Sequence, residues 1–172
     1  KNWTKFNHPQ LGEVEIGGYN PKFFRQNPPV EVLEEWARKQ ALFNLLLAGS
    51  LPQVRIVSAG MKPVKKSPGV YELACVVTNE GFLPTALRMA ERVKVVRPDR
   101  VEVKLPEGAK LEPGLKVRVE VGRLKSGEKK EVRWRFRLKD GTASKEAPEA
   151  EVGIYSTRGG VDRRAVKIGM GQ

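Results

Sequence analysis

The sequence contains a single histidine, His8, and a single cysteine, Cys75. One cysteine excludes an internal disulfide and a zinc site built from several thiolates. One histidine excludes a catalytic zinc site of the two-histidine, one-carboxylate kind within this chain, and a nucleophile–histidine arrangement could use only His8. We therefore predict that the chain is not an enzyme by itself and holds no cofactor. Cys75 is expected to be a small buried side chain, and His8 to order the turn at Asn7-His8-Pro9.

Long hydrophobic runs are also missing. No apolar stretch approaches the roughly 18 residues that a membrane helix requires, so no membrane span is expected. The chain begins at Lys1 rather than at a methionine, and we expect it to be a fragment of a longer protein or a processed product.

Basic residues are plentiful, with 32 Lys and Arg against 20 Asp and Glu and a net charge of +12. Such a balance favours anionic partners, namely nucleic acid, acidic glycans or cell-wall polymers. Arg133, Arg135 and Arg137 alternate with Trp134 and Phe136, which places the guanidiniums on one side of a strand. They are a candidate anion-binding row. The alternative is a charged outer face that only keeps sheets from pairing edge to edge.

Residues 1–50 are irregular apart from one short strand, 13–16, and one helix. Glu13 and Glu15 share a face of that strand, and they form either a carboxylate pair or simply a solvated surface. Asn27-Pro28-Pro29 predicts the helix start, and Gly49 its end. The helix has an apolar face that we expect to pack on a partner. Its main members are Leu33, Trp36, Ala37 and Leu45.

Residues 51–172 change to period-two patterning. About seven short strands separated by turns predict a mainly β protein, an immunoglobulin-like antiparallel sandwich preceded by the irregular segment and the amphipathic helix. The predicted turns are Asn79-Glu80-Gly81, Lys139-Asp140-Gly141 and Gly159-Gly160. The predicted strands lie within 54–58, 71–77, 93–96, 101–105, 115–121, 132–138, 152–156 and 166–168.

Five stretches carry a family resemblance. The segment 6–19, FNHPQLGEVEIGGY, resembles the end of the peptidase domain in large M14-type zinc metallocarboxypeptidases. Residues 27–52 resemble the final helix of that domain and its exit. VTNEGFLPTAL at 77–87, EVRWRF at 131–136 and STRGG at 156–160 resemble the sandwich domain that follows it.

The resemblance implies that the chain combines the end of a peptidase domain, 1–50, with an accessory sandwich, 51–172. The family binds zinc through a His-x-x-Glu pair and a later His, which have no counterparts here, so zinc is expected only in an upstream domain. The implied role is structural support or attachment of a secreted or cell-surface carboxypeptidase, with the upstream peptidase domain as partner. The alternatives are an extracellular filament assembled from copies of the chain, and a module that binds an anionic polymer.

Overall fold

The structure, a computed structural model, describes residues 1–19, 22–138 and 149–168. The chain divides into two compact units, Lys1–Ala48 and Gly49–Gln172. This division falls two residues before the one predicted from the sequence, between residues 50 and 51. The predicted turn at Lys139-Asp140-Gly141 lies outside the described residues.

The first unit begins with an antiparallel hairpin of β1 (Thr4–His8) and β2 (Gly12–Ile16), in which Phe6 lies opposite Val14. A π-helical segment, Lys22–Gln26, precedes the 20-residue helix α1 (Val30–Gly49). The Asn27 side-chain amide donates to the Lys22 carbonyl, 2.9 Å away, and so closes the segment before the helix. In the part of the chain that the structure describes, no helix has the length and apolarity needed to cross a bilayer.

The second unit contains two four-stranded antiparallel sheets. The first sheet has the order β3-β4-β8-β6, with β3 (Val54–Pro63), β4 (Val70–Asn79), β6 (Ala109–Leu111) and β8 (Lys129–Leu138). The second has the order β10-β9-β5-β7, with β5 (Asp99–Lys104), β7 (Arg118–Gly122), β9 (Glu149–Ser156) and β10 (Gly160–Lys167). A short helix, α2 (Arg88–Arg92), lies in the connection between β4 and β5.

Both sheets contribute to one hydrophobic core, so they form a sandwich. Trp134 is 1% exposed, and its indole Nε1 donates to the Lys116 carbonyl, 2.9 Å away. This hydrogen bond satisfies the indole N–H, so the large tryptophan side chain can be buried without leaving a polar group unpaired. Tyr71 stacks on Phe136 from the neighbouring strand, with ring centroids 5.8 Å apart.

The mainly β class with antiparallel sheets is thus confirmed. Without β7, the other seven strands follow the order of a constant-type immunoglobulin domain, first-second-fifth-fourth in one sheet and third-sixth-seventh in the other. β7 is then an additional strand at the edge beside β5. The immunoglobulin-like assignment remains a prediction, which this strand order supports.

Two sequence-based strand assignments need correction. The predicted strand at 93–96 is wrong, because the Val93 and Val95 amides donate to the carbonyls of Met89 and Ala90 and so continue the turn of α2. The strand predicted from residue 115 begins only at Arg118. Two strands, β1 and the three-residue β6, have no counterpart among the predicted strands. The first unit contains the β1–β2 hairpin where the sequence predicted only the strand 13–16.

Candidate binding sites

The arginine row lies on the outer side of β8, where exposed and buried residues alternate as predicted. Arg133 faces Ala74 across the β4–β8 ladder, Arg135 faces Glu72 and Arg137 faces Val70. The inward positions between them are taken by Trp134 and Phe136, which belong to the core. Strand alternation therefore delivers three guanidiniums to one solvent-facing surface.

Two of these guanidiniums are already paired with carboxylates. Glu72 accepts from Arg135 Nε at 3.3 Å and pairs with Lys62 Nζ, also at 3.3 Å. These contacts, first with Lys62 and then with Arg135, hold the pKa of the Glu72 carboxyl below its usual range. Arg133 Nε lies 2.8 Å from Glu131 Oε1, and that hydrogen bond raises the pKa of Arg133. An incoming anion must compete with both glutamates.

Arg137 differs from its two neighbours. No ion pair of Arg137 occurs among the described residues, and its cross-strand neighbours are Val70 and Lys110. The sequence predicted three equivalent arginines. In the structure Arg137, beside Lys110, is the arginine of the row whose positive charge is least compensated by carboxylates.

The apolar residues of α1 form the second candidate surface. No residue of this helix is buried, and Trp36 and Leu45 are 55% and 68% exposed. Leu33 and Ala37, the other predicted packing residues, are exposed as well. An exposed apolar surface of this kind is typical of an interaction site.

The residues of the hairpin with catalytic potential have structural roles. His8 Nδ1 accepts hydrogen bonds from the Gln10 and Leu11 amides, each at 3.2 Å, so His8 orders the turn beside it as predicted. The turn itself lies at 9–11 rather than at Asn7-His8-Pro9, because Asn7 and His8 end β1. Glu13 pairs with Lys5 across the hairpin at 2.9 Å. Among the described residues, no group of three or more His, Cys, Asp and Glu side chains is arranged to hold a metal ion.

Cys75 lies inside the core and is fully buried, as predicted. Burial raises the pKa of its thiol to about 12. A thiol with so high a pKa forms almost no thiolate near neutral pH, and the thiolate is the nucleophilic form. Cys75 therefore serves packing.

The connection between β4 and β5 is held to the sandwich by a buried polar cluster. Asn79 is 0% exposed; its side-chain oxygen accepts from the amides of Gln53 and Gly81, and its amide donates to the carbonyls of Leu83 and Leu124. The Thr85 hydroxyl accepts from the Leu124 amide at 2.9 Å. These contacts satisfy both side chains and fix the start of the connection.

Gly81 has a packing role in the same cluster. A Cβ at this position would lie 2.2 Å from the Leu51 carbonyl oxygen and 2.6 Å from the Pro52 Cα. Only glycine allows the backbone to approach this closely. The Asn-Glu-Gly part of the resembling motif thus has a structural explanation.

A cavity of about 450 Å³ lies between this connection and the strands β5 and β7. No motif in the sequence distinguishes Asp99, and the sequence did not predict this cavity. The seven residues with polar side chains on its wall are Thr85, Glu91, Lys94, Arg97, Asp99, Glu120 and Arg123.

The outer edges β3 and β10 are tied together by side chains. The Asp162 carboxylate accepts from the Ile56 amide at 2.8 Å, and the Arg164 guanidinium donates to the carbonyls of Ile56 and Val57. These contacts occur at a β-bulge, where the β3–β4 register shifts between Ile56 and Ser58. Backbone groups that an open edge would offer to another strand are thus already occupied.

Comparison with known proteins gives one family match. A family model described as Domain of unknown function (DUF8731) matches residues 53–167, which covers nearly all of the sandwich and none of the first unit. No curated protein matches the chain.

Proposed function

We propose that this chain, which belongs to the family described as Domain of unknown function (DUF8731), is a non-catalytic accessory region of a secreted zinc carboxypeptidase. In this proposal the first unit docks on the peptidase domain, and the sandwich supports that domain or holds it at a surface or partner. Zinc and the catalytic groups belong to the peptidase domain.

The exposed apolar helix α1 is the observation that carries the proposal. It extends over 20 residues, and none of them is buried. A helix that keeps Trp36, Leu45 and their neighbours in water gains stability when another surface covers them. The resemblance of residues 6–19 and 27–52 to the end of an M14-type peptidase domain supports the body of that domain as the surface that covers α1.

The structure of the sandwich supports its proposed role in holding the peptidase domain at a surface or partner. Its core is complete without the first unit, since every buried residue in the described part of the chain lies between Pro52 and Val166. A domain with its own core can act as a separate module on the enzyme. Its positive outer sheet, which includes Lys62, Arg137 and Lys110, suits an anionic surface.

The first test is the intact mass of the native polypeptide, with hydrogen exchange as its companion. We expect a mass well above 19.2 kDa and amides of α1 that exchange slowly in the longer protein but rapidly in the 172-residue chain. The isolated chain should hold no stoichiometric zinc and release no carboxyl-terminal residues from peptides. Zinc together with carboxypeptidase activity in the isolated chain would refute the proposal.

Self-assembly into an extracellular filament is the second candidate function. The exposed face of α1 favours it, because a second copy of the chain is another possible cover for that surface. The contacts of Asp162 and Arg164 with β3 count against assembly by strand addition at that edge. A native mass of 19.2 kDa, together with light scattering that grows with concentration, would favour the filament over the accessory region.

Anion binding by the arginine row is the third candidate. Its support is reduced by the pairing of Arg133 and Arg135 with glutamates and rests mainly on Arg137. Heparin and single-stranded DNA are suitable polyanionic probes, and their affinity should fall steeply with salt. If Arg137→Gln binds both probes as tightly as the parent chain, the row is not the site.

A further inference from the structure

The cavity beside the β4–β5 connection contains a buried carboxyl oxygen without a hydrogen-bond partner among the described residues. Asp99 is 3% exposed, and its Oδ2 atom is inaccessible to solvent and lacks any hydrogen-bond partner in the described part of the chain. Buried carboxylates in proteins are normally paired or hydrogen-bonded, because removal from water strongly disfavours a lone charge. The fold therefore supplies no hydrogen-bond donor to Asp99 Oδ2 among the described residues.

Three of the cations near Asp99 have acceptors other than Asp99. Arg123 Nε lies 3.2 Å from Glu91 Oε2, and Arg100 Nε lies 2.8 Å from Glu102 Oε1. Lys130 Nζ donates to the carbonyls of Val121 and Arg123. Each of these three groups already has its own acceptor. Lys94 and Arg97 also line the cavity, but both are exposed and neither is hydrogen-bonded to Asp99 Oδ2, so this oxygen remains available to a ligand.

The backbone places Asp99 at the inner part of the cavity. Asp99 begins β5 and pairs with Gly122, which has φ of +67° and adjoins the register shift between β5 and β7. The floor also includes Thr85 and Ala86, which are both buried. Because the Thr85 hydroxyl already exchanges hydrogen bonds with Leu124, Asp99 is the acceptor left for a ligand there.

The outer wall combines short apolar surfaces with charged groups. Val96 and Pro98 line the cavity. The exposed charges around them offset one another, with Glu91 and Glu120 negative and Lys94 and Arg97 positive, so the buried Asp99 is the carboxylate left uncompensated. An apolar wall that leads to a buried carboxylate suits an elongated ligand with an aliphatic stem and a positively charged head.

We propose that this cavity binds a primary alkylammonium group, with the ammonium donating to the Asp99 carboxylate and the aliphatic stem lying against Ala86, Val96 and Pro98. The group has three donors in a compact head, which suits a confined carboxylate. Two sources share this chemistry, a small aliphatic amine and a lysine side chain of a peptide. The proposal concerns the sandwich alone and does not depend on docking of a peptidase domain.

The test is a titration of the full 172-residue chain, followed by isothermal calorimetry and by amide chemical shifts. The probes are 1,5-diaminopentane for a free amine and Nα-acetyl-lysine methylamide for a lysine side chain, with pentan-1-ol as the uncharged control. We expect saturable binding of at least one ammonium probe, with shifts at Ala86, Val96 and Gly122. The probe that binds more tightly identifies the source.

Two variants and one control locate the site. Asp99→Asn keeps the shape and removes the charge, so it should weaken ammonium binding at least tenfold. Ala86→Leu should also reduce binding, because it fills the cavity without touching the carboxylate. Glu107→Gln, a change at an exposed residue that does not line the cavity, should bind within about threefold of the parent, since screened surface charges contribute little.

Three results would overturn the proposal. They are the absence of saturable binding for both ammonium probes, binding of pentan-1-ol as tight as that of the amines, and unchanged affinity in Asp99→Asn. If Asp99→Asn does not fold, retained binding in a folded Ala86→Leu would overturn it instead.

Discussion

The two units of this chain use apolar residues in opposite ways. The sandwich buries Trp134, Phe136 and Leu73 almost completely between its sheets. Helix α1 has a similarly apolar sequence, yet it buries none of its residues. An apolar sequence shows that a segment is stabilised when its side chains are buried. The fold determines whether residues of the same chain bury them.

Polar groups show the same contrast. In the sandwich, Asn79 and Thr85 are buried, and each has hydrogen-bond partners from the chain itself. In the first unit, side-chain contacts such as Lys5–Glu13 and Glu35–Lys39 are exposed ion pairs. Exposed pairs contribute little to stability. The sandwich is thus expected to determine the unfolding transition of the chain.

The strongest test of this comparison uses two tryptophans. Trp134→Ala should lower the free energy of unfolding by about 3–5 kcal/mol, because it empties a large volume in the core. Trp36→Ala, the matched change in α1, should alter it by about 0.5 kcal/mol or less. Urea denaturation followed by far-ultraviolet circular dichroism measures both. An equal loss in Trp36→Ala would mean that α1 is covered in the isolated chain.

Asn79→Ala should have the next largest effect. It removes the acceptor of the Gln53 and Gly81 amides, and leaving such buried groups unpaired costs about 1–3 kcal/mol. The matched control is Asn44→Ala on the exposed surface of α1, which should stay within about 0.5 kcal/mol of the parent. Thermal and urea unfolding report the difference. A loss no larger than that of the control would remove Asn79 from the list of groups that hold the β4–β5 connection.

Period-two patterning predicted the long strands because one side of each faces a continuous core. The alternation of Val132, Trp134 and Phe136 with arginines is read directly from the chain, and the structure has the same alternation. The pattern failed at 93–96, where apolar β-branched residues lie exposed after α2 rather than in a sheet. Three residues of β6 are too few to show a period.

The candidate sites were harder to predict, because they depend on register. The sequence placed Arg133 and Arg135 on one face, but it could not show that Glu72 on another strand lies opposite Arg135. The unpaired Asp99 depends on the β5–β7 pairing with Gly122 and on the path of a long connection. His8 was predictable because its partners, Gln10 and Leu11, are its neighbours in the chain.

The contacts between β3 and β10 are expected to keep these edges of the sandwich from pairing with other strands, and a variant of Asp162 tests this. Asp162→Asn should lower the free energy of unfolding by about 1 kcal/mol through the weakened hydrogen bond to the Ile56 amide. It should also increase association in sedimentation velocity experiments, because an edge is then less well blocked. Glu149→Gln, which removes an exposed ion pair with Lys167 from the inner strand β9 and leaves the edge strand unchanged, is the control and should do neither. Unchanged sedimentation in Asp162→Asn would show that other features keep the edge from pairing.

The smallest expected effect is a difference between the two units in how a glutamate substitution changes the pH dependence of stability. The pKa of Glu72 is lowered in the folded state from its ordinary value of 4.5, so its contribution is present above that value and is lost as the pH falls through the lowered one. Glu72→Gln should therefore cost about 0.2–1 kcal/mol at pH 7 and make stability less dependent on pH below 4.5. Glu34→Gln, on the exposed helix α1, is the control and should leave the urea midpoint of the sandwich unchanged at both pH 7 and pH 3. If Glu72→Gln loses stability on acidification as steeply as the parent chain, the acid sensitivity arises from other carboxylates, of which Glu102 and Glu128 also have lowered pKa values.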